Sequence, residues 1–191
     1  LLDPMEQGFN PDFTIADGGS GLRAGQKIIM PETPCHGDVF HIQQQFETVA
    51  NSLSRQAQGS TSQRLKLEEQ IAKARPPSQV TRKMNSNLVH AKKTEHKLLP
   101  LAKDIKTLLQ WFSHDVLELP GPPLGVRLEL FDFIVLQLQQ RECKEHPKIR
   151  ILRKSLHHQR DELLAFAWVL DQKLAEIAHR FKMPLQKVRD V

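Results

Sequence analysis

The spacing of apolar residues divides the chain into a short segment with strand-like runs and a much longer helical segment. An apolar run at 13–16 ends in Asp17-Gly18, and a second run spans 35–41, so each predicts a short strand. Ser20 can cap a helix over about 21–30 that connects them. Because a crossover of this length joins parallel neighbours, we expect the two strands to be parallel.

Beyond the second strand, the apolar period is helical almost everywhere. A helix over about 43–58 is predicted to end at the Gly-Ser-Thr-Ser run 59–62, where the next helix begins. A long helix over about 78–119 comes later, and Pro100 should kink or interrupt it. The middle of the chain is therefore expected to contain only helices.

The last third of the chain predicts a helical hairpin. Its start is marked by the clearest linker of the sequence, Pro120-Gly121-Pro122-Pro123. After the linker, apolar residues recur at intervals of three and four, as in a coiled-coil seam: Leu128, Phe131, Val135 and Leu138. Pro147 starts a last helix to about residue 181 with a seven-residue apolar series: Ile149, Leu156, Leu163, Leu170 and Ile177. The two helices most simply pack antiparallel, and Trp111 and Trp168 are expected in the core.

Charge is distributed unevenly along the 191 residues, whose net charge is +5. Residues 1–60 are acidic, residues 61–110 are strongly basic, and the remainder is nearly balanced. An acidic module joined to a basic helical arm suits a metal-dependent nuclease acting on a polyphosphate strand, whereas a solvated Lys-rich helix face is the alternative. The residues predicted to contact DNA are Arg82, Lys83, Lys92, Lys93, Lys97 and Lys103.

Composition excludes several classes of protein. The sequence has no apolar run near the roughly 18 residues of a membrane span and no amino-terminal signal pattern, so we expect a soluble, cytosolic protein without a membrane partner. Cys35 and Cys143 are far apart and lack Cys-x-x-Cys spacing, which argues against a disulfide framework or a structural zinc site. Cys35 and His36 with His41 could ligate a metal, but a thiol lining a strand is the preferred interpretation. The sequence contains no tyrosine, so tyrosine recombinases are excluded and metal-activated water remains as the nucleophile.

One combination of motifs resembles a known family. Asp17-x-x-x-Gly-Leu-Arg23 is followed by a helix-length stretch, a Pro-containing turn and Asp38-x-Phe-His41. This order resembles the middle of the catalytic domain of DDE transposases from bacterial insertion sequences, in the mutator-like and related groups. The resemblance is specific over about 13–55. It implies a ribonuclease-H-like fold in which Asp17 follows the fourth strand and is the middle one of three acids that bind two divalent metals.

The resemblance gives a fold class and a domain division as expectations. The chain should be mainly α, with a partial ribonuclease-H-like α/β element over 1–58, made of two parallel strands and a crossover helix. An all-helical insertion should follow, as a basic helical part over 59–119 and a helical hairpin over 120–191. Mg²⁺ or Mn²⁺ is the expected cofactor of the complete enzyme. DNA, the remainder of the transposase and a possible second copy are the expected partners, in the bacterial cytoplasm at the nucleoid.

The chain departs from the family pattern at both ends. No strand with a first acid precedes Asp17, and no Glu in the family's closing context appears before Val191. We therefore expect an internal fragment that is catalytically incomplete as it stands.

The resemblance and the local chemistry assign roles to four residues. Asp17 is the candidate catalytic residue and metal ligand. Asp38 is either displayed by the second strand as a supporting carboxylate, or it fixes His41 or accepts backbone hydrogen bonds. Arg23 could approach the scissile phosphate or pair with Asp38. His41 is either a satisfied histidine of the core or sheet edge, or a ligand or phosphate contact.

A function from a different class fits the same sequence. The apolar seams at 128–138 and 149–181 could bind a partner helix in a non-catalytic interaction or assembly protein. The two functions are distinguished by whether the reading frame continues upstream into a strand with an Asp and downstream into a helix with a Glu.

Overall fold

A computed structural model describes residues 8–9, 11–16, 20–74 and 81–189. This part of the chain is mainly helical with two short parallel strands, as the sequence predicts. None of its helices is both long and apolar enough for a membrane span. The elements, in chain order, are β1 Thr14–Ala16, α1 Ser20–Ile29, β2 Cys35–Gly37, α2 Val39–Lys73, α3 Arg82–Trp111, a π-helical segment Phe112–Leu117, α4 Leu124–Gln140, α5 Pro147–Arg180 and α6 Leu185–Arg189.

The two strands pair in parallel across the crossover helix α1, with Ala16 opposite Gly37 at their carboxyl ends. The predicted extent of the second strand, 35–41, is wrong because β2 already ends at Gly37. A Cβ at Gly37 would lie 3.1 Å from the Leu163 side chain of α5, so the strand packs closely against that helix and a larger residue would require Leu163 to shift. The pair of strands is thus seated on α5.

Helix α2 runs without interruption through residues 59–62, so the predicted helix break there is wrong. The Ser60 hydroxyl donates to the Ala57 carbonyl at 2.7 Å, and the Thr61 hydroxyl donates to the same carbonyl at 3.3 Å. Such hydroxyls are satisfied inside a helix instead of ending it. Packing against α3 offsets the cost of about 1 kcal/mol for Gly59 in a helix interior. The predicted domain boundary at residue 58 therefore lies inside α2.

Helix α3 contains Pro100, the residue predicted to kink or interrupt it. The helix continues through Pro100, so the predicted interruption does not occur. Proline removes one backbone donor, which leaves the carbonyl of His96 without its helical partner. Because His96 is exposed, water can reach that carbonyl. The regular helix ends at Trp111, where the wider π-helical turns begin.

The core lies where the hairpin of α2 and α3 meets the hairpin of α4 and α5. Phe46, Phe112 and Phe131 form its aromatic centre, with ring centroids 5.6 Å and 6.0 Å apart for successive pairs. Each of these rings is buried, so together they contribute much of the apolar area removed from water. Around them lie aliphatic side chains from all four helices: Ile42, Leu53, Ile105, Leu108, Ile134, Leu138, Ile149, Leu152, Leu156 and Leu163.

The predicted antiparallel pairing of α4 and α5 is confirmed. Near one end of the hairpin Arg153 pairs with Glu142, and further along Arg160 pairs with Asp132, so one helix descends as the other ascends. Most members of the predicted seam are buried. The fully buried ones are Phe131, Leu138, Ile149, Leu156 and Leu163, whereas Leu128, Val135 and Leu170 are partly buried. Ile177 is exposed, because α4 begins opposite Asp171 and no longer covers the end of α5.

The expectation that both tryptophans lie in the core is wrong. The exposed fractions are 40% for Trp111 and 57% for Trp168. At 100° per residue, Trp168 lies about 140° around α5 from Leu163, which is on the buried face of that helix. The residues on either side of Trp168 in the sequence are apolar, but the Trp168 side chain faces solvent.

The predicted linker at 120–123 is confirmed as a connection between helices, and a buried arginine organises it. Arg127 is fully buried. Its guanidinium donates to the Val116 carbonyl at 2.5 Å, the Pro122 carbonyl at 2.7 Å and the Leu119 carbonyl at 3.1 Å. The same group lies 5.4 Å from the centre of the Phe166 ring. Burial lowers the pKa of Arg127 from its ordinary value, while the Asp171 carboxylate opposes that shift.

We expect acid to weaken the α4–α5 contact through Asp132. Hydrogen bonds from Arg160, at 2.7 Å to each carboxylate oxygen, lower the pKa of Asp132 below its ordinary value of 3.8. A group whose pKa is lower in the folded state stabilises the fold above its unfolded pKa and loses that effect as pH falls. Asp132→Asn should cost up to about 1 kcal/mol of unfolding free energy at neutral pH, since the pair is largely exposed.

Urea unfolding at about pH 7 and about pH 3.5 measures this dependence. The difference in free energy of unfolding between wild type and Asp132→Asn should be smaller at the lower pH. A difference of the same size at both values would contradict the assignment to this ion pair.

Candidate functional site

The candidate site begins at the carboxyl edge of the two strands. Ala16 and Gly37 are paired there, and the Asp38 backbone N–H donates to the Ala16 carbonyl at 3.0 Å. Asp38 follows β2 directly, and in the sequence Asp17 follows β1 directly. Asp17, the predicted catalytic residue and metal ligand, lies outside the described residues together with Gly18 and Gly19. The assignment of Asp17 therefore stays a prediction from the sequence.

Asp38 is the cap of helix α2. Its Oδ1 accepts a hydrogen bond from the His41 backbone N–H at 3.2 Å, and its backbone is extended, with φ −74° and ψ 100°. An aspartate at this position satisfies one of the unpaired donors of the first helical turn. Asp38 follows β2 instead of lying within it. Its predicted role as a supporting carboxylate at the sheet edge stays a prediction. Of the alternatives, the acceptance of backbone hydrogen bonds is what the geometry gives.

His41 lies on the first turn of α2 and not on a strand, so that expectation is wrong. The side chain is partly buried, and its Nε2 is 2.8 Å from the Gln45 Nε2. In this geometry the Gln45 amide N–H donates and the His41 Nε2 accepts. His41 is therefore tied to its own helix.

Arg23 connects α1 to α5. Its guanidinium pairs with the carboxylate of Glu162, and both side chains are partly covered. The pair fixes the crossover helix, and with it the sheet edge, against the helical body. Nothing in the local sequence points to Glu162 as the partner, since 139 residues separate the two.

A basic face covers the exposed side of α3. We define the basic face by the six predicted residues, all of which are exposed: Arg82, Lys83, Lys92, Lys93, Lys97 and Lys103. At 100° per residue, Arg82, Lys93 and Lys97 share a stripe about 60° wide. A polyanion lying along the helix would meet these three charges in succession.

Lys92 differs from the other members of the basic face because it is paired. Its Nζ is 3.0 Å from the Glu68 carboxylate of α2, which Arg64 also contacts at 2.6 Å. The hydrogen bond from Lys92, and then the charge of Arg64, hold the pKa of Glu68 below its ordinary value. Glu95 of α3 completes this cluster at 2.5 Å from Arg64. Lys92 is thus already partly neutralised, whereas the remaining five cations form no ion pair within the described residues.

A cleft of about 710 Å³ separates the basic face from the loop between α4 and α5. Lys93 and Lys97 line one wall together with His90. Cys143, Glu145 and His146 line the opposite wall, and their ligand atoms all lie within 4.8 Å of one another. The group of Cys143, Glu145 and His146 was not predicted from the sequence, where only Cys35, His36 and His41 were considered as metal ligands that include a cysteine. The signal that could have found it is the Cys-x-Glu-His order in one short loop.

The other cysteine is in a different setting. Cys35 lies on β2 and is partly buried, as expected for a thiol that lines a strand. The His36 ring packs edge-on against Phe13 at 5.2 Å. These contacts support the interpretation of Cys35 and His36 as parts of the sheet surface.

An apolar cleft of about 450 Å³ lies beside the sheet, between the strands, the segment before α4 and helix α5. Its lining includes Phe13, Ile15, Phe40, Leu119 and Val169. Phe40 is 72% exposed and Ile15 is 65% exposed. Apolar side chains at this density on a surface are typical of a region that contacts another protein segment.

No known protein family, curated protein or solved structure matches the chain. Its function is therefore inferred from the residues and their geometry alone.

Proposed function

We propose that this chain is part of a DDE-type transposase that cuts DNA and transfers the cut strand. In this proposal the strands and α1 belong to a ribonuclease-H-like catalytic domain, and α2 to α5 form its helical insertion. The observation that carries it is the parallel β1–α1–β2 unit. In the sequence, an aspartate directly follows each of its two strands, in the order that the resemblance requires. Ligands gather at this edge in open α/β sheets.

The chemistry of the donor set suits the expected metal only in part. Carboxylate oxygens are the ligands that Mg²⁺ prefers, and Asp17 offers them by residue type. Asp38 is less suitable because its Oδ1 caps α2. The resemblance requires two further acids besides Asp17. A bound Mg²⁺ would supply Lewis-acid stabilisation of the phosphoryl oxygens and activation of water.

This chain's own part in the proposed reaction is the placement of DNA. The basic face gives a run of exposed cations on one helix, and the Arg23–Glu162 pair holds the sheet edge to the helical body. Phosphate contacts of this kind position a duplex without reading its sequence. Binding should therefore be weak, independent of sequence and sensitive to salt.

We predict that replacing Lys93, Lys97 and Lys103 with Ala lowers the slope of log affinity against log salt. Each neutralised phosphate contributes about 0.9 to that slope, so three lost contacts should lower it by roughly two to three units. Fluorescence anisotropy with a labelled duplex at several salt concentrations measures the change. Lys92 is left intact because Glu68 already pairs with it.

A matched control removes three exposed lysines that lie on α5 and α6 instead of α3: Lys148, Lys154 and Lys187. Both variants carry the same net charge, so only the location of the charge differs. If the two variants gave equal slopes, the basic face would be an ordinary solvated helix face and not a DNA-binding surface.

The second candidate is a non-catalytic helical assembly protein. The exposed apolar cleft beside Phe40 favours it, since a surface of this kind binds a partner. In that case the complete protein should show no metal-dependent nicking of DNA, and the lysine variants should bind DNA as the wild type does.

A further inference from the structure

We propose that Cys143, Glu145 and His146 form a binding site for a divalent transition metal of the zinc class. The three side chains come from four consecutive residues in the loop between α4 and α5. Their ligand atoms, one thiol sulfur, one carboxylate oxygen and one imidazole nitrogen, all lie within 4.8 Å of one another. In the described part of the chain, none of these donor atoms is held by another hydrogen bond or ion pair.

The donor set selects the metal. A thiolate with an imidazole and a carboxylate suits Zn²⁺ and Co²⁺, whereas Mg²⁺ takes oxygen ligands only. In a tetrahedral zinc site, neighbouring ligand atoms are roughly 3.4 to 3.7 Å apart, as bond lengths of about 2.0 to 2.3 Å require. The three donors must therefore approach by about 1 Å. Cys143 and Glu145 are both exposed, so rotation of their side chains meets little resistance.

The loop that carries the donors is anchored on both sides. Before it, Arg141 donates to Asp104 of α3 at 2.9 Å and to the Gln137 carbonyl at 3.0 Å. Within it, the His146 backbone N–H donates to the Cys143 carbonyl at 3.3 Å. After it, Ile149 is fully buried and fixes the first turn of α5. A loop held in this way loses less conformational entropy when a metal binds.

Three protein ligands would leave one coordination position open, and all three side chains line the cleft of about 710 Å³. Water can occupy it, as in zinc sites with three protein ligands. On binding, the Cys143 thiol gives its proton to solvent and the metal–sulfur bond forms, so one proton is released per ion. The site is separate from Asp17 and does not depend on the proposed transposase function.

Titration of the reduced protein with Co²⁺ alone tests the site. We expect one ion per chain and the charge-transfer absorption of a thiolate–cobalt bond in the near ultraviolet. Zn²⁺ should displace Co²⁺, and excess Mg²⁺ should not, because it lacks affinity for sulfur.

Variants identify the ligands. Cys143→Ser and His146→Ala should each lower the affinity for Zn²⁺ by at least about 100-fold, since even changes outside the ligand set cost 10- to 100-fold. Glu145→Gln, which is exposed and close in size, should weaken binding without unfolding the protein, as circular dichroism would verify. The matched control is Cys35→Ser, which removes the other thiol and should bind as the wild type does.

Several results would overturn the site. They are unchanged binding by Cys143→Ser, loss of the cobalt spectrum in Cys35→Ser, and one ion shared by two chains. Asp17→Asn should leave this binding intact, so failure here and failure of the transposase proposal can be told apart.

Discussion

Replacing Asp17 with Asn in the complete protein should lower Mg²⁺-dependent nicking of a DNA end by about 100-fold or more. The substitution keeps the size of the side chain and removes the charge that holds the cation. Metal activation supplies several kcal/mol of barrier reduction, and each 1.36 kcal/mol corresponds to a factor of ten in rate. Folding and DNA binding should change little, since the substitution adds no bulk.

The control for this variant is Asp38→Asn. Asparagine caps helices about as well as aspartate, so α2 should keep its start and nicking should fall far less. The measurement is the initial rate of nicking by wild type and both variants at saturating Mg²⁺. Equal rates for wild type and Asp17→Asn would contradict the catalytic role of Asp17 and favour the hypothesis of a non-catalytic assembly protein.

Arg127→Ala should destabilise the fold by about 3 to 5 kcal/mol, a large share of the stability of a typical domain. The guanidinium is fully buried and donates to three backbone carbonyls around the linker. Without it the buried Val116 carbonyl loses its partner, which costs about 1 to 3 kcal/mol, and the partly buried carbonyls of Pro122 and Leu119 lose theirs as well. The loss of the contact with Phe166 adds to this effect.

Urea unfolding followed by circular dichroism measures the change in free energy. Arg55→Ala is the matched control, because Arg55 is exposed on α2 and its loss should stay within about 0.5 kcal/mol. Gly121→Ala tests the same contact from the other side, since its Cβ would lie 2.9 Å from the Arg127 Cζ and push the guanidinium away. If both variants were as stable as Arg55→Ala, Arg127 would not be what organises the linker.

The sequence by itself determined the parts of the fold that local chemistry controls. The apolar period gave the parallel strand pair, the helical remainder and the α4–α5 hairpin, because side-chain direction follows the backbone period. Pro147 predicted the start of α5 and the 120–123 linker predicted the gap before α4, since proline and glycine act within one or two residues. The candidate role of Asp17 also comes from the sequence alone.

The tertiary structure decided everything that depends on a distant partner. Helix α2 continues through residues 59–62 because it packs against α3. Strand β2 ends at Gly37, where the chain packs closely against Leu163 of α5. The partner of Arg23 is 139 residues away. The burial of Arg127 and the exposure of Trp168 likewise depend on which helix covers which face. Such contacts form between segments that are distant in the sequence, so a local pattern of apolar and polar residues cannot predict them.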